Sequence, residues 1–153
     1  MTKRQTKHAT FTIERTYSAT PERVFAALTQ PEHMKHWFKG PPEFGDETIE
    51  IDFRVGGGQR SWGGPKGGPV HKFMSHYYDI VPNERLVYAY EMYLDDTRIS
   101  VSLATWELRS VGEKKTQLVL TEQGAFLDDY DDAGGRERGT KGLLEQFAKY
   151  VES

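Results

Sequence analysis

The sequence predicts an α+β domain in which one long C-terminal helix lies across one face of a curved antiparallel sheet. Three observations carry this. From Ile49 to Gly124 apolar residues recur mostly with a period of two, in runs separated by turn chemistry. The last segment, "RERGTKGLLEQFAKYVE", changes to helical spacing and places Leu143, Leu144, Phe147, Tyr150 and Val151 on one stripe that has to be buried. One strand and two short helices precede the run of strands, an order that segregates helices from the sheet instead of alternating them with parallel strands.

Taken in order, "HATFTIERTYSA" sets Phe11, Ile13 and Arg15 against Thr12, Glu14 and Thr16 and reads as the first strand. Thr20 is an N-cap, Pro21 suits the first helical position, and the apolar "VFAAL" follows, so a helix begins there and is broken by Pro31. "PEHMKHWF" is a second short helix, which "GPPEFG" cannot continue because proline lacks the donor and clashes with the preceding turn. The strands that follow are "IEIDFRV", "VHKFMSHYYDIVP", "RLVYAYEMYL", "RISVSLATWELRS" and "TQLVLTEQG", with turns at Pro82-Asn83-Glu84 and Asp95-Asp96. The terminal helix is expected over 137–151.

The stretch "VGGGQRSWGGPKGGP" holds seven of the fifteen glycines. A phosphate cradle needs glycines at fixed offsets that open a helix, and here no G-x-G-x-x-G is present, Lys66 is followed by Gly67, and both flanks read as strands. Gly56 to Gly58 are therefore expected to bend one strand into the next, and "GGPKGGP" to turn that strand back.

Composition bounds the function. The 153 residues, 37% hydrophobic, suit one domain with one core. A net charge of -3 supplies no cationic field for nucleic acid, and the local basicity of Lys3, Arg4 and Lys7 reads as a frayed terminus. No apolar run spans a bilayer and the N-terminus lacks a signal-peptide core, so a soluble, cytoplasmic protein with no membrane partner is expected. The absence of cysteine excludes disulfides, thiol nucleophiles and cysteine-held metals. His71 and His76, five apart on a strand, point to opposite faces; His33 and His36 share a helical face but lack a third ligand; and "DDYDD" at Asp128 to Asp132 lacks a calcium loop's glycine and glutamate and reads as a solvated loop. No cofactor or metal is implied, and no nucleophile elbow or triad order is evident.

Four stretches carry a family resemblance: "ATPERVFAALTQPEHMKHWFKGP", "DFRVGGG", "YYDIVPNERLVYAY" and "GTKGLLEQFAKYVE". In these the chain resembles the SRPBCC superfamily of START, polyketide cyclase and birch-pollen-allergen relatives, in the branch similar to the C-terminal domain of the activator of heat-shock-protein ATPase. The resemblance implies a helix-grip fold, with about seven antiparallel strands wrapped around the C-terminal helix and a cavity between them. Members of the superfamily bind hydrophobic or aromatic small molecules, some cyclise or hydrolyse them, and some act on protein partners, so the site has to be argued from its own residues.

Strand alternation nominates the cavity wall. Leu86, Tyr88, Tyr90 and Met92 share one face, as do Ser102, Ala104, Trp106 and Leu108; in "HKFMSHYYDI" the inward set is taken as Met74, His76, Tyr78 and Ile80. Trp37 and Phe38 could close a mouth or staple the second helix to the sheet, and Trp62, Thr140 and Leu144 complete the candidate ligand-binding set. Glu122 shares a face with Leu118 and Leu120; if inward it needs a Tyr or His partner or a raised pKa, and if the strand frays before Gly124 it meets solvent. Thr140 stands where relatives usually carry Trp, which implies a wider, more polar cavity at that end. The expected function is non-catalytic binding of a small hydrophobic or aromatic ligand. Two alternatives remain open: a cyclase- or hydrolase-like enzyme using Glu122 or His76 as acid or base, and a chaperone-associated protein-binding domain.

Overall fold

A computed structural model of the chain describes residues 4–153. The first strand, β1 (Thr6–Tyr17), is followed by helix α1 (Pro21–Thr29), a short helix α2 (Pro31–Met34) and a 3-10 turn at Pro42–Phe44. Six strands come next, β2 (Thr48–Ile51), β3 (Gln59–Gly63), β4 (His71–Val81), β5 (Arg85–Leu94), β6 (Thr97–Gly112) and β7 (Lys115–Leu127), and helix α3 (Ala133–Val151) ends the chain. The seven strands form one sheet in the order β1-β7-β6-β5-β4-β3-β2, and every neighbouring pair is antiparallel. This is the helix-grip arrangement. No helix among the described residues is long and apolar enough to cross a membrane.

Local chemistry explains the element ends. The Thr20 side chain accepts from the Arg23 N–H at 3.3 Å, with Pro21 at the first helical position, as the sequence implies. The second helix is shorter than expected: after Met34 the bonds His36 N–H to His33 C=O and Trp37 N–H to Met34 C=O tighten the backbone into turns that run on to Phe38. Strand β2 stops at Ile51, not Val55, because the turn begins early, with the Arg54 amide bonding the Asp52 carbonyl. Helix α3 starts one turn before the expected position, since the Asp132 side chain caps the Gly135 N–H at 2.6 Å. "DDYDD" is therefore more than a solvated loop. Asp128 and Asp129 pair with Arg4 and Lys7; Lys7 lies within β1 and is not frayed, Arg4 precedes the strand and is exposed, and Lys3 lies outside the described residues.

The glycine stretch is a bend and a hairpin. Gly56 adopts φ +89, and the Gly56 amide and Gly57 carbonyl bond the carbonyl and amide of Tyr77 at 2.9 Å, next to a bulge in β4. A Cβ on Gly58 would lie 1.9 Å from the Ser75 carbonyl oxygen, so two backbones meet there with no room for a side chain.

The core lies between the concave face of the sheet and the C-terminal half of α3. Phe147, fully buried, packs edge-on against Tyr17 at 5.2 Å and Trp37 at 4.9 Å, while Leu144 and Val151 join Val24, Leu118 and Leu120. Trp37 donates its indole N–H to the Ala27 carbonyl at 2.8 Å, which locks α2 to α1. Tyr150 accepts the stack of His36 at 5.0 Å and hydrogen-bonds His33 Nδ1 at 2.6 Å, which occupies the two histidines structurally.

Two glycines separate close approach from open space. Gly58→Ala is expected to lower stability by about 1–3 kcal/mol, because backbone must move. Gly142→Ala, in α3 with nothing within 4 Å of the added methyl, is expected to raise it by about 0.5–1 kcal/mol. Urea denaturation of both variants tests the pair; equal midpoints would contradict the packing described.

Candidate functional site

The N-terminal half of α3 packs differently from its C-terminal half. Gly135, Gly139 and Gly142 recur at helical spacing with Arg136, Thr140 and Leu143 among them, and all six line a cavity of about 900 Å³. Small residues on this face leave the sheet beneath uncovered. The remaining walls are the concave face of β3 to β7 and the segment from Met34 through Trp37 and Phe38 to Glu47.

Tyr88, Tyr90, Met92, Trp106 and Glu122 line the cavity as strand alternation predicts, and Trp37, Phe38, Thr140 and Leu144 join them. Ser102 points inward and is buried, but it does not line the cavity, and its Oγ has no hydrogen-bond partner. Three of the four inward assignments on β4 are overturned. Tyr78 is 63% exposed, and His76 and Met74 lie on the outer face, where His76 sits 3.9 Å from Glu91. The residues turned inward are Phe73, Ser75 and Tyr77. The cause is the bulge between Tyr77 and Asp79, which leaves Tyr78 unpaired and reverses the alternation, so Ile80 is inward as expected while the residues before it are out of phase. His76 is thereby removed as an acid or base of the cavity. Trp62 is likewise on the outer face and does not line it; Gln59 and Ser61, joined by a 2.7 Å hydrogen bond, turn inward from the same strand.

Glu122 is buried, at 6% exposure, by the antiparallel pairing of β7 with Phe11 on one side and Ala104 on the other. Its Oε1 accepts the hydroxyl proton of Tyr90. That hydroxyl accepts in turn from Arg136 Nη1 at 3.1 Å, and Arg136 Nη2 donates to Ser100 Oγ at 2.8 Å and to Asp131 at 2.9 Å. Burial pushes the Glu122 carboxyl above its ordinary value, while the Tyr90 hydrogen bond and the Arg136 charge pull it back part of the way. Desolvation, with Glu122 nearby, pushes both Tyr88 and Tyr90 well above the ordinary phenol, so each is a neutral hydroxyl at physiological pH. The Tyr88 oxygen accepts the Trp106 indole N–H at 3.0 Å, and its ring exposes surface to the cavity. Tyr90 stacks on Phe73 at 4.9 Å.

Arg136, Phe73 and Tyr77 were not among the residues nominated from sequence. The available signal for the helix was the spacing of glycines at 135, 139 and 142, which marks the face that opens the cavity; for β4 the bulge hides the phase. Among the described residues no group of three or more His, Asp or Glu is placed to hold a metal.

The family model described as "Activator of Hsp90 ATPase homolog 1-like protein" matches residues 18–152. A solved structure from Rhizobium leguminosarum is 42% identical, with 99% of each chain covered and a TM-score of 0.90. Another, from Rhizobium loti, is also 42% identical, covering 95% of this chain and 99% of that one, with a TM-score of 0.85. A third, from Chromobacterium violaceum, is 28% identical over 94% and 97% of the two chains, with a TM-score of 0.79. No curated protein matches. With a match over nearly its whole length and the helix-grip sheet in place, the chain belongs to the Activator of Hsp90 ATPase homolog 1-like family, within the SRPBCC superfamily.

Proposed function

We propose that the chain binds a small hydrophobic or aromatic molecule in the cavity beneath α3, without transforming it. The observation that carries this is a volume of about 900 Å³ walled by Trp37, Phe73, Tyr88, Tyr90 and Trp106. Close-packed interiors do not keep such space, and a mostly apolar cavity with a few orienting polar groups is the usual make-up of a ligand site. Thr140, buried and lining the cavity, bonds the Arg136 carbonyl at 2.9 Å and fills little of the volume next to it. Thr140→Trp is expected to leave the unfolding midpoint within about 4 °C of the parent and to weaken the uncharged probe N-phenylnaphthylamine at least about tenfold. Fluorescence titration reads the affinity; strong destabilisation with unaltered probe binding would mean the space is not a binding cavity.

A second reading, catalysis, is favoured by one observation: a buried carboxyl that faces the cavity and holds its proton more tightly than usual has the character of a general acid or base. Its ionisation can be followed through stability. The folded protein takes up the Glu122 proton more readily than the unfolded chain, so stability from this group is present below the ordinary value of 4.5 and is lost as pH rises through the raised one. Relative to the parent, Glu122→Gln should therefore gain stability across that window, by about 1.4 kcal/mol for each tenfold change in proton affinity. Glu47, raised by burial as well, adds a slope that this variant leaves in place. Urea denaturation from acid to neutral pH provides the comparison, and parallel curves would place an unperturbed carboxylate at Glu122.

A further inference from the structure

We propose that the ligand is a cationic amine on an aromatic or similarly bulky apolar body, its ammonium group paired with Glu122 beside the rings of Tyr88 and Tyr90. This rests on the binding function proposed above and adds the charge of the ligand to it.

Charge around the cavity is unevenly compensated. Arg136 is the largely buried cation of the wall, and because its guanidinium contacts Asp131 directly at 2.9 Å its charge offsets Glu122 only in part. Glu122 meets that guanidinium only through the Tyr90 hydroxyl, and among the described residues it forms no ion pair. Half-buried Glu47, also in the wall, accepts only the Gly40 N–H at 3.1 Å. Lys39 and Lys72 reach the cavity at its rim; Lys39 is exposed and Lys72 turns to Asp96 at 3.3 Å. The wall thus carries carboxylates in excess of the cations able to offset them. A buried carboxylate without a counter-charge is costly, and a ligand bearing one positive charge removes that cost.

Geometry points the same way. Glu122 Oε1 is taken by Tyr90, while Oε2 has no protein partner and is not sealed in: the enclosed side-chain polar atoms left unpaired among the described residues are Tyr17 Oη and Ser102 Oγ. Oε2 is therefore an acceptor open to the cavity. Beside it stand the rings of Tyr88 and Tyr90; Phe73 stacks on Tyr90 at 4.9 Å and the Arg136 guanidinium lies 5.7 Å from the centre of that ring, so the aromatic contribution to holding a further cation falls to Tyr88, whose oxygen accepts from Trp106. A neutral phenol could donate to Oε2 but would leave the charge uncompensated, and a carboxylate or phosphate ligand would add a second negative charge beside it.

The test uses the intact protein and three naphthyl probes of similar size, naphthylmethylamine, naphthylmethanol and naphthoate, titrated by calorimetry at neutral pH. The amine is expected to bind at least about tenfold more tightly than the alcohol, with naphthoate weakest. Glu122→Gln should erase the amine's advantage over the alcohol. Asp131→Asn, which strips Arg136 of its partner and lets the guanidinium offset Glu122, should shrink it too, and this variant alters no residue of the sheet. If the alcohol saturates but the amine binds no more tightly, or if the amine's advantage survives in both variants, the charge assignment is wrong while the binding function stands. If none of the three saturates, the cavity is not a site for aromatic ligands and both readings fall.

Discussion

Phe147 is the contact on which the rest of the arrangement depends. It sits with no exposed surface between Tyr17 of β1 and Trp37 beyond α2, and both rings meet it edge to face. Such pairs add about 0.5–1.5 kcal/mol each beyond the area they bury. Trp37 is itself fixed by its bond to Ala27, so one side chain joins the terminal helix, the helical pair and the first strand. The C-terminal half of α3 is thereby held tight to the sheet. The N-terminal half, which sets Gly135, Gly139, Gly142 and Thr140 beside Arg136 on its cavity face, then spans the concave face without filling it. The cavity follows from this asymmetry along a single helix: large side chains where it must anchor, small ones where it must leave room.

The polar chain from Asp131 through Arg136 and Tyr90 to Glu122 solves a different problem. Each of these groups would be expensive to bury alone. Linked in series, the guanidinium satisfies Asp131, Ser100 and Tyr90, and Tyr90 satisfies one oxygen of Glu122. What the series does not offset is the charge at its far end, since one guanidinium faces two carboxylates. The excess sits against aromatic rings and away from bulk water, which is where a small difference in ligand charge has its largest effect.

Much of this was legible in sequence, and the failures are physical. Regular alternation places the inward faces of β5 and β6 correctly, because those stretches of strand pair without a break; for Glu122 it left two orientations open, and the pairing of β7 on through Gly124 settles it inward. The capped first helix and the bend at Gly56 to Gly58 were equally readable, from residue types with few other uses. In β4 a period-two reading cannot succeed on both sides of a bulge: the phase that suits Ile80 puts Tyr78, His76 and Met74 on the wrong face. Arg136 escaped notice because, in Arg136-Glu137-Arg138 at the edge of the expected helix, nothing in the charge pattern marks one arginine as buried. Its partners Tyr90 and Ser100 are 46 and 36 residues away along the chain, and only the folded sheet brings them together. The aspartates at 128, 129, 131 and 132 looked like a solvated loop for the same reason; their partners lie just before and within the first strand and in the first turn of α3.

The residues that face the cavity also hold up its roof, and this sets what each can reveal. The glycine-rich half of α3 has few apolar contacts of its own, so its position depends on the Asp132 cap and on the Arg136 bonds to Asp131, Tyr90 and Ser100. Losing the Arg136 guanidinium would unpair Asp131 and release the helix at once, changing wall and roof together. Glu122 is different. It projects from a strand paired along both edges, and an amide in its place keeps an acceptor for the Tyr90 hydroxyl while removing the charge. The electrostatics of the cavity therefore separate from its architecture at Glu122, whereas at Arg136 the two are the same set of bonds.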